Sequence, residues 1–154
     1  MTVSSIADDE SAIRNVLARV AHLTDGRGGN LDDYVELWTD DCMWSSPVAG
    51  TWHGHDGHRA RHARFRAAGV QGPGASSFHV LTTVWVNVRG DDADALSTWM
   101  LVTRWSGAPS IEDIGTYTDS LRRTSSGWRL VTRMVEQGDG AWLRSREATA
   151  NAGE

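Results

Sequence analysis

The 154-residue sequence contains no lysine; all 15 of its basic residues are arginines. That absence excludes Schiff-base catalysis and the lysine-bearing phosphate loop. Cysteine is nearly missing too. Cys42 stands alone and can form no intramolecular disulfide, so a reducing, intracellular setting is the expectation. No apolar run approaches the ~20 residues of a membrane-spanning helix, and the first residues lack a basic stretch followed by an apolar one. The sequence therefore reads as soluble and cytoplasmic, with no membrane partner. A net charge of −5 excludes a general nucleic-acid binder, which needs a positive surface to neutralise phosphates. Phenylalanine and tyrosine are scarce at 2 each, against 8 tryptophans. Indole is a costly core filler because its N–H requires a partner, so several tryptophans are expected to line a cavity for a flat or apolar ligand.

Taken in order, the chain shows no internal repeat and no linker, and its length suits one domain. Residues 1–7 are expected to be disordered, with the domain over 8–138 and a polar tail over 139–154. Asp8, Asp9 and Glu10 supply an acidic first turn, and Ile13, Val16, Leu17 and Val20 follow at helical spacing. Gly26, Gly28 and Gly29 stop this helix, leaving Asp25 in its last turn, where the helix dipole disfavours a carboxylate. Two explanations are open: an Asp-Gly turn with Arg27 nearby, or a compensating partner elsewhere in the fold. Asn30 caps a second short helix whose apolar positions are Leu31, Tyr34, Val35 and Trp38. Cys42 to Ser46 and Thr51 to His53 read as short strands. Asp56 can cap a third helix, from about Gly57 to Ala68, with a weak apolar face of Ala60, Ala63, Phe65 and Ala67. Its arginines, Arg59, Arg61, Arg64 and Arg66, read as a solvated face, or else as a basic rim that attracts an anionic substrate.

From Ser77 onward the pattern is antiparallel sheet. Ser77 to Val88 is rich in β-branched and aromatic residues and apolar on both sides. Either both sides are buried, as when a second copy covers the outer one, or a bulge switches the parity part-way. Ala95, Ser97, Trp99, Leu101 and Thr103 share one face of the next strand; Gly115, Tyr117, Asp119 and Leu121 share one face of the strand after it, and Trp128 to about Gln137 is the fourth. Three N-terminal helices followed by a meander define an α+β fold: helices packed on one face of a curved, mainly antiparallel sheet, enclosing a pocket.

The order of elements, with Leu23-Thr24-Asp25-Gly26, Leu37-Trp38-Thr39-Asp40-Asp41-Cys42-Met43-Trp44, the Gly54 turn, Phe78-His79-Val80-Leu81-Thr82, Gly115-Thr116-Tyr117-Thr118-Asp119 and Gly127-Trp128-Arg129, resembles the SnoaL-like branch of the nuclear-transport-factor-2-like superfamily. The resemblance covers about Ile6 to Gln137 and implies the cone-shaped fold of that superfamily. The chain looks similar to two characterised members, scytalone dehydratase and hexachlorocyclohexane dehydrochlorinase, and both carry an aspartate–histidine dyad in the pocket. The matching positions are Asp25 and His79. An imidazole N–H would give the Asp25 carboxylate its missing partner, and the other ring nitrogen would be a base. The chain departs from both enzymes: Thr103 stands where the dehydratase has a second pocket histidine, no lysine matches the dehydrochlorinase's, and Val20 stands where relatives often have a tyrosine. Tyr117 is then the remaining candidate hydroxyl.

These readings point to a cofactor-independent acid/base enzyme, a dehydratase, cyclase or isomerase, acting on a small apolar molecule, aromatic or polyketide-like. His79, Asp25 and Tyr117 are its expected catalytic residues; Trp38, Trp44, Trp99 and Thr103 are expected to contact the substrate, and the chain is expected to form a homodimer or higher homo-oligomer. The alternative is a non-catalytic ligand-binding or subunit-type protein of the same fold. His53, His55, His58 and His62 could in principle converge on a metal, but their flanking glycines and arginines favour a solvent-facing turn and helix, so no metal and no cofactor is expected.

Overall fold

The computed structural model describes residues 5–153. Helix α1 spans Ile6–Thr24 and begins earlier than expected, because Ser5 and Asp8 form a reciprocal capping box that satisfies two orphan donors. Its buried stripe contains Ile13, Leu17 and Val20 as read from the sequence, with Leu23 added and Val16 only half-buried. Helix α2, Leu31–Val35, is capped by Asn30 as expected but is shorter: Trp38 is the first residue of strand β1, Trp38–Ser46. Asp40 and Asp41 therefore lie within a strand and do not end a helix. Strand β2, Gly50–His53, pairs back on β1.

Helix α3 spans Gly54–Ala67, and its buried residues are His58, Arg61, His62 and Phe65. Of the expected face only Phe65 is buried, Ala60, Ala63 and Ala67 being exposed; His58 and His62 turn inward against expectation, while His53 does face solvent. Strands β3 (Ser77–Arg89), β4 (Asp92–Thr103), β5 (Ser110–Thr124) and β6 (Gly127–Glu136) form the meander. The sheet order is β2-β1-β6-β5-β4-β3, with β1 and β6 parallel and every other pair antiparallel. Helix α1 packs across β3, and Arg14 ties the two by donating to the Val84 carbonyl at 2.6 Å.

The bulge is what resolves the double-sided pattern of β3. Register with β4 shifts between Thr82 and Trp85, and Thr83 takes a left-handed φ of 45°. Before the shift His79 and Leu81 oppose Leu101 and Trp99 on the inner face; after it Val86 and Val88 oppose Ala95 and Ala93 there. One extra residue thus moves the inward set from odd to even positions. It also leaves Trp85 and Leu96, an opposed pair, exposed on the outer face.

The tail is not simply an extension. Ala141–Asn151 forms a fourth helix, α4, beyond the three expected, and its Trp142 and Leu143 line the cavity between helices and sheet. It starts at Gly140, whose left-handed φ of 71° and contact with Val48 leave no room for a Cβ. Leu143 is buried, Trp142 donates to Asp113 at 2.6 Å, and Arg64 of α3 holds Glu147 at 2.7 Å. Among the described residues no helix is long and apolar enough to cross a membrane.

Candidate functional site

Between helices and sheet lies a small cavity of about 50 Å³. Its polar walls include Tyr34 from α2, Arg61 from α3, Gln71 from the following loop, His79 from β3, Tyr117 from β5 and Arg133 from β6. Trp44, Phe65, Trp99, Trp142 and Leu143 supply the apolar walls.

Asp25 and His79 meet at its edge. The imidazole Nδ1 lies 2.6 Å from Asp25 Oδ1, and the His79 backbone N–H donates to Asp25 Oδ2 at 2.8 Å. Asp25 is the C-cap of α1, so the unfavourable end of the helix dipole is answered by two N–H donors and by Arg27 at 3.4 Å. Both explanations open at the sequence level are thus present together. Gly26 makes the geometry possible. Its φ is 73°, and a Cβ there would lie 2.3 Å from the backbone nitrogen of Pro73, on the loop that leads into β3. Because a carboxylate only accepts, Nδ1 carries the ring proton, and Nε2, which has no partner among the described residues, is left as the basic nitrogen.

Trp44 and Trp99 line the cavity as expected. Trp99 stacks on Tyr117 at 5.4 Å between centroids and lies 6.3 Å from His79, and its N–H donates to the Glu136 carbonyl. That stack needs Gly115, opposite Trp99 on β5, since a Cβ there would collide with the same carbonyl. Tyr117 lines the cavity, with the Arg133 guanidinium 3.9 Å over its ring; burial raises its pKa, so it stays a neutral hydroxyl. Two expectations fail. Trp38 is wholly buried against His58 at 4.1 Å and touches no cavity space, because the strand start at Trp38 turns its ring into the core. Thr103, fully buried at the far end of β4, donates to Glu112 at 3.0 Å and is absent from the cavity wall.

Most of the wall went unread in the sequence, including the polar side chains of Tyr34, Arg61, Gln71, Arg133 and Gln137. Arg133 opposes Asp119 across β5 and β6 and binds it through two bonds of 2.7 and 2.8 Å. Burial opposes the Arg133 charge, but the Asp119 carboxylate outweighs it and holds the guanidinium's pKa above its ordinary value. The alternation of β5 put Asp119 on the face of Tyr117, a candidate site residue, and a carboxylate on a buried face implies a cation opposite; that was the available signal.

Behind the wall stand the two buried histidines of α3. His58 packs on Trp38 and Tyr34, and His62 on Tyr34, with its Nδ1 2.9 Å from Gln71. Neither Nε2 has a hydrogen-bond partner among the described residues, and among them no three His, Cys, Asp or Glu side chains converge as a metal site requires. Burial pushes His58 down to about 2, with the Arg61 charge adding to it, and depresses His62 in the same way. Both remain neutral when folded, whereas in the unfolded chain each takes a proton below about pH 6.5. The unfolded state therefore binds more protons in that window, and stability falls as pH falls. Between pH 6.5 and 5.5 the expected loss is about 1 kcal/mol for each histidine. Urea unfolding at the two pH values checks this; an unchanged midpoint would show that these rings are not neutral and buried.

A family model described as the SnoaL-like domain matches residues 5–134. Among solved structures, an NTF2-like protein with a cystatin-like fold from Novosphingobium aromaticivorans is 25% identical, covering 94% of this chain and 98% of its own, with a TM-score of 0.71. A Mycobacterium tuberculosis protein of unknown function is 17% identical over 94% of each chain, with a TM-score of 0.73. A third, provisionally assigned as a scytalone dehydratase, also from Novosphingobium aromaticivorans, is 16% identical, covers 84% of this chain and 86% of its own, and has a TM-score of 0.66. No curated protein matches the sequence. With most of its length matched by one family and its sheet and cone shared with these structures, the chain belongs to the SnoaL-like family.

Proposed function

We propose that the protein is a cofactor-independent acid/base enzyme of the dehydratase or isomerase kind, with His79 as the base. The observation that carries this is the bond from the His79 ring to Asp25 at the edge of an aromatic cavity. In this reading His79 Nε2 takes a proton from substrate carbon, Asp25 holds the tautomer and stabilises the resulting imidazolium, and the ring returns the proton to the product or leaving group. Tyr117, kept protonated by burial, donates to the oxygen on which charge develops. The Asp25 carboxylate remains a carboxylate throughout.

Size bears on the substrate. The cavity has about 50 Å³, while an engineered cavity that holds benzene has about 150 Å³. A substrate of a few heavy atoms fits as it stands; an aromatic or polyketide-like one requires Trp142 and α4 to swing outward. The test is solvent-deuterium exchange, followed by proton NMR, into the α-carbon of small β-hydroxy and β,γ-unsaturated carbonyl compounds. The expected result is exchange well above that of free imidazole at the same pH and concentration. If no compound of the panel exchanges faster than with imidazole, yet some quench the wall tryptophans, the protein binds ligands without catalysis, and the alternative of a non-catalytic family member stands.

A further inference from the structure

Arg61 is the cavity residue the acid/base reading leaves unused. Its side chain is 3% exposed and lies on the wall of the cavity. Its Nη2 donates to the Tyr34 hydroxyl at 2.7 Å and stands 3.5 Å from His58 Nδ1, while its Nε has no hydrogen-bond partner. Among the described residues it has no carboxylate within ion-pair distance, and no carboxylate belongs to the cavity wall at all. The contrast with Arg133 is direct, since that equally buried guanidinium is matched by Asp119.

A guanidinium withdrawn from water needs compensation for a desolvation cost of several kcal/mol. Part comes from aromatic faces: the Arg61 carbon lies 4.4 Å from the centre of the Trp44 ring and 5.7 and 5.9 Å from those of Phe65 and Tyr34. Such contacts attract a cation but accept none of its N–H groups, and the Tyr34 hydroxyl takes only one of them. Arginine is also the side chain whose planar fork matches a carboxylate through two parallel bonds. The fold goes to some trouble to put it here. On a helix whose other arginines, 59, 64 and 66, reach toward α2, α4 and the loop after α3, this one alone turns to the cavity.

We propose that the ligand of this cavity is a small monocarboxylate, whose anionic group completes the fork of Arg61. The proposal rests on the cavity being the binding site of the function above, and it names the substrate class: a small unsaturated or hydroxy acid that carries a second carbonyl, whose oxygen meets Tyr117 while its carboxylate meets Arg61. Anchoring the carboxylate at α3 leaves the carbon chain to extend among the aromatic walls toward the His79 edge. The carboxylate also supplies the negative charge that the wall lacks.

Acetate with acetamide, and crotonate with crotonamide, are pairs of nearly equal shape that differ in charge. Titration of each against the wild-type protein, read by tryptophan fluorescence and calorimetry, should show the acid binding at least tenfold tighter than its amide. Arg61→Gln should reduce that preference to less than threefold, and Arg61→Lys should retain part of it. His79→Ala should leave the preference in place, so loss of exchange in that variant with the preference intact separates a failure here from a failure of the acid/base reading. Equal binding of acid and amide to the wild type overturns the proposal, even if Arg61→Gln does not fold. So does failure of both acids to bind at millimolar concentration, or a folded Arg61→Gln protein that keeps the full preference.

Discussion

Asp25→Asn should lower deuterium exchange by about a hundredfold to ten-thousandfold while leaving ligand binding almost unchanged. The reason is a count of donors and acceptors. Asp25 offers two oxygens, one to the His79 backbone N–H and one to the ring Nδ1. Asparagine offers one oxygen and one NH₂. The backbone N–H cannot become an acceptor, so the amide oxygen must stay with it and the NH₂ must face the ring. The imidazole then accepts at Nδ1 and carries its proton on Nε2, the nitrogen that should act as base. A shape-preserving substitution thus leaves a histidine in place in the wrong tautomer. His79→Ala should cost about as much, and the double variant little more than either alone, because the two act as one unit. If Asp25→Asn exchanges within threefold of wild type, the dyad is structural and the proposed chemistry is wrong.

Asp119→Ala is expected to be the most damaging single change to stability, at about 3–5 kcal/mol. Asp119 and Arg133 are directly opposed on neighbouring strands, both nearly inaccessible, and joined by two hydrogen bonds. Removing the carboxylate leaves a charge that the interior cannot solvate, a second unmatched guanidinium beside Arg61 on the same wall. Against a total stability of about 5–15 kcal/mol for a domain, that is a large fraction. Urea unfolding reads the loss. Asp119→Leu combined with Arg133→Met should recover most of it, since replacing both members of a buried pair by apolar groups is often neutral. A loss below about 1 kcal/mol for Asp119→Ala would mean that Arg133 finds its compensation elsewhere.

The two arginines also show the limit of pattern reading. Alternation along β5 put Asp119 on one face with Tyr117 and Leu121, because the period of a strand is two whatever it packs against. No comparable rule told Arg61 from its helical neighbours. Helix α3 is so polar that its buried face consists of two histidines, one arginine and one phenylalanine. Its sequence has hardly any apolar period to read, and only contact with Tyr34, Trp38 and Trp44 selects which face turns inward. Burying those histidines is affordable because each is neutral and packed on rings, a property of the partner surface and not of α3.

By itself the sequence determined the α+β class, the apolar stripe of α1, the Asn30 cap, the inward faces of β4 and β5, and, through family resemblance, Asp25 and His79 as a pair 54 residues apart. These follow from local periods and capping chemistry, or from a motif, and both can be read along the chain. The tertiary structure decided the rest. It chose the bulge at Thr83 over a sheet buried on both faces, drew Trp38 out of a helix into the core, folded the tail into α4 as the wall behind Trp142, and set Arg61 without a carboxylate partner into the cavity. Each of these depends on which surface an element meets across the fold, and residues far apart in sequence supply that surface.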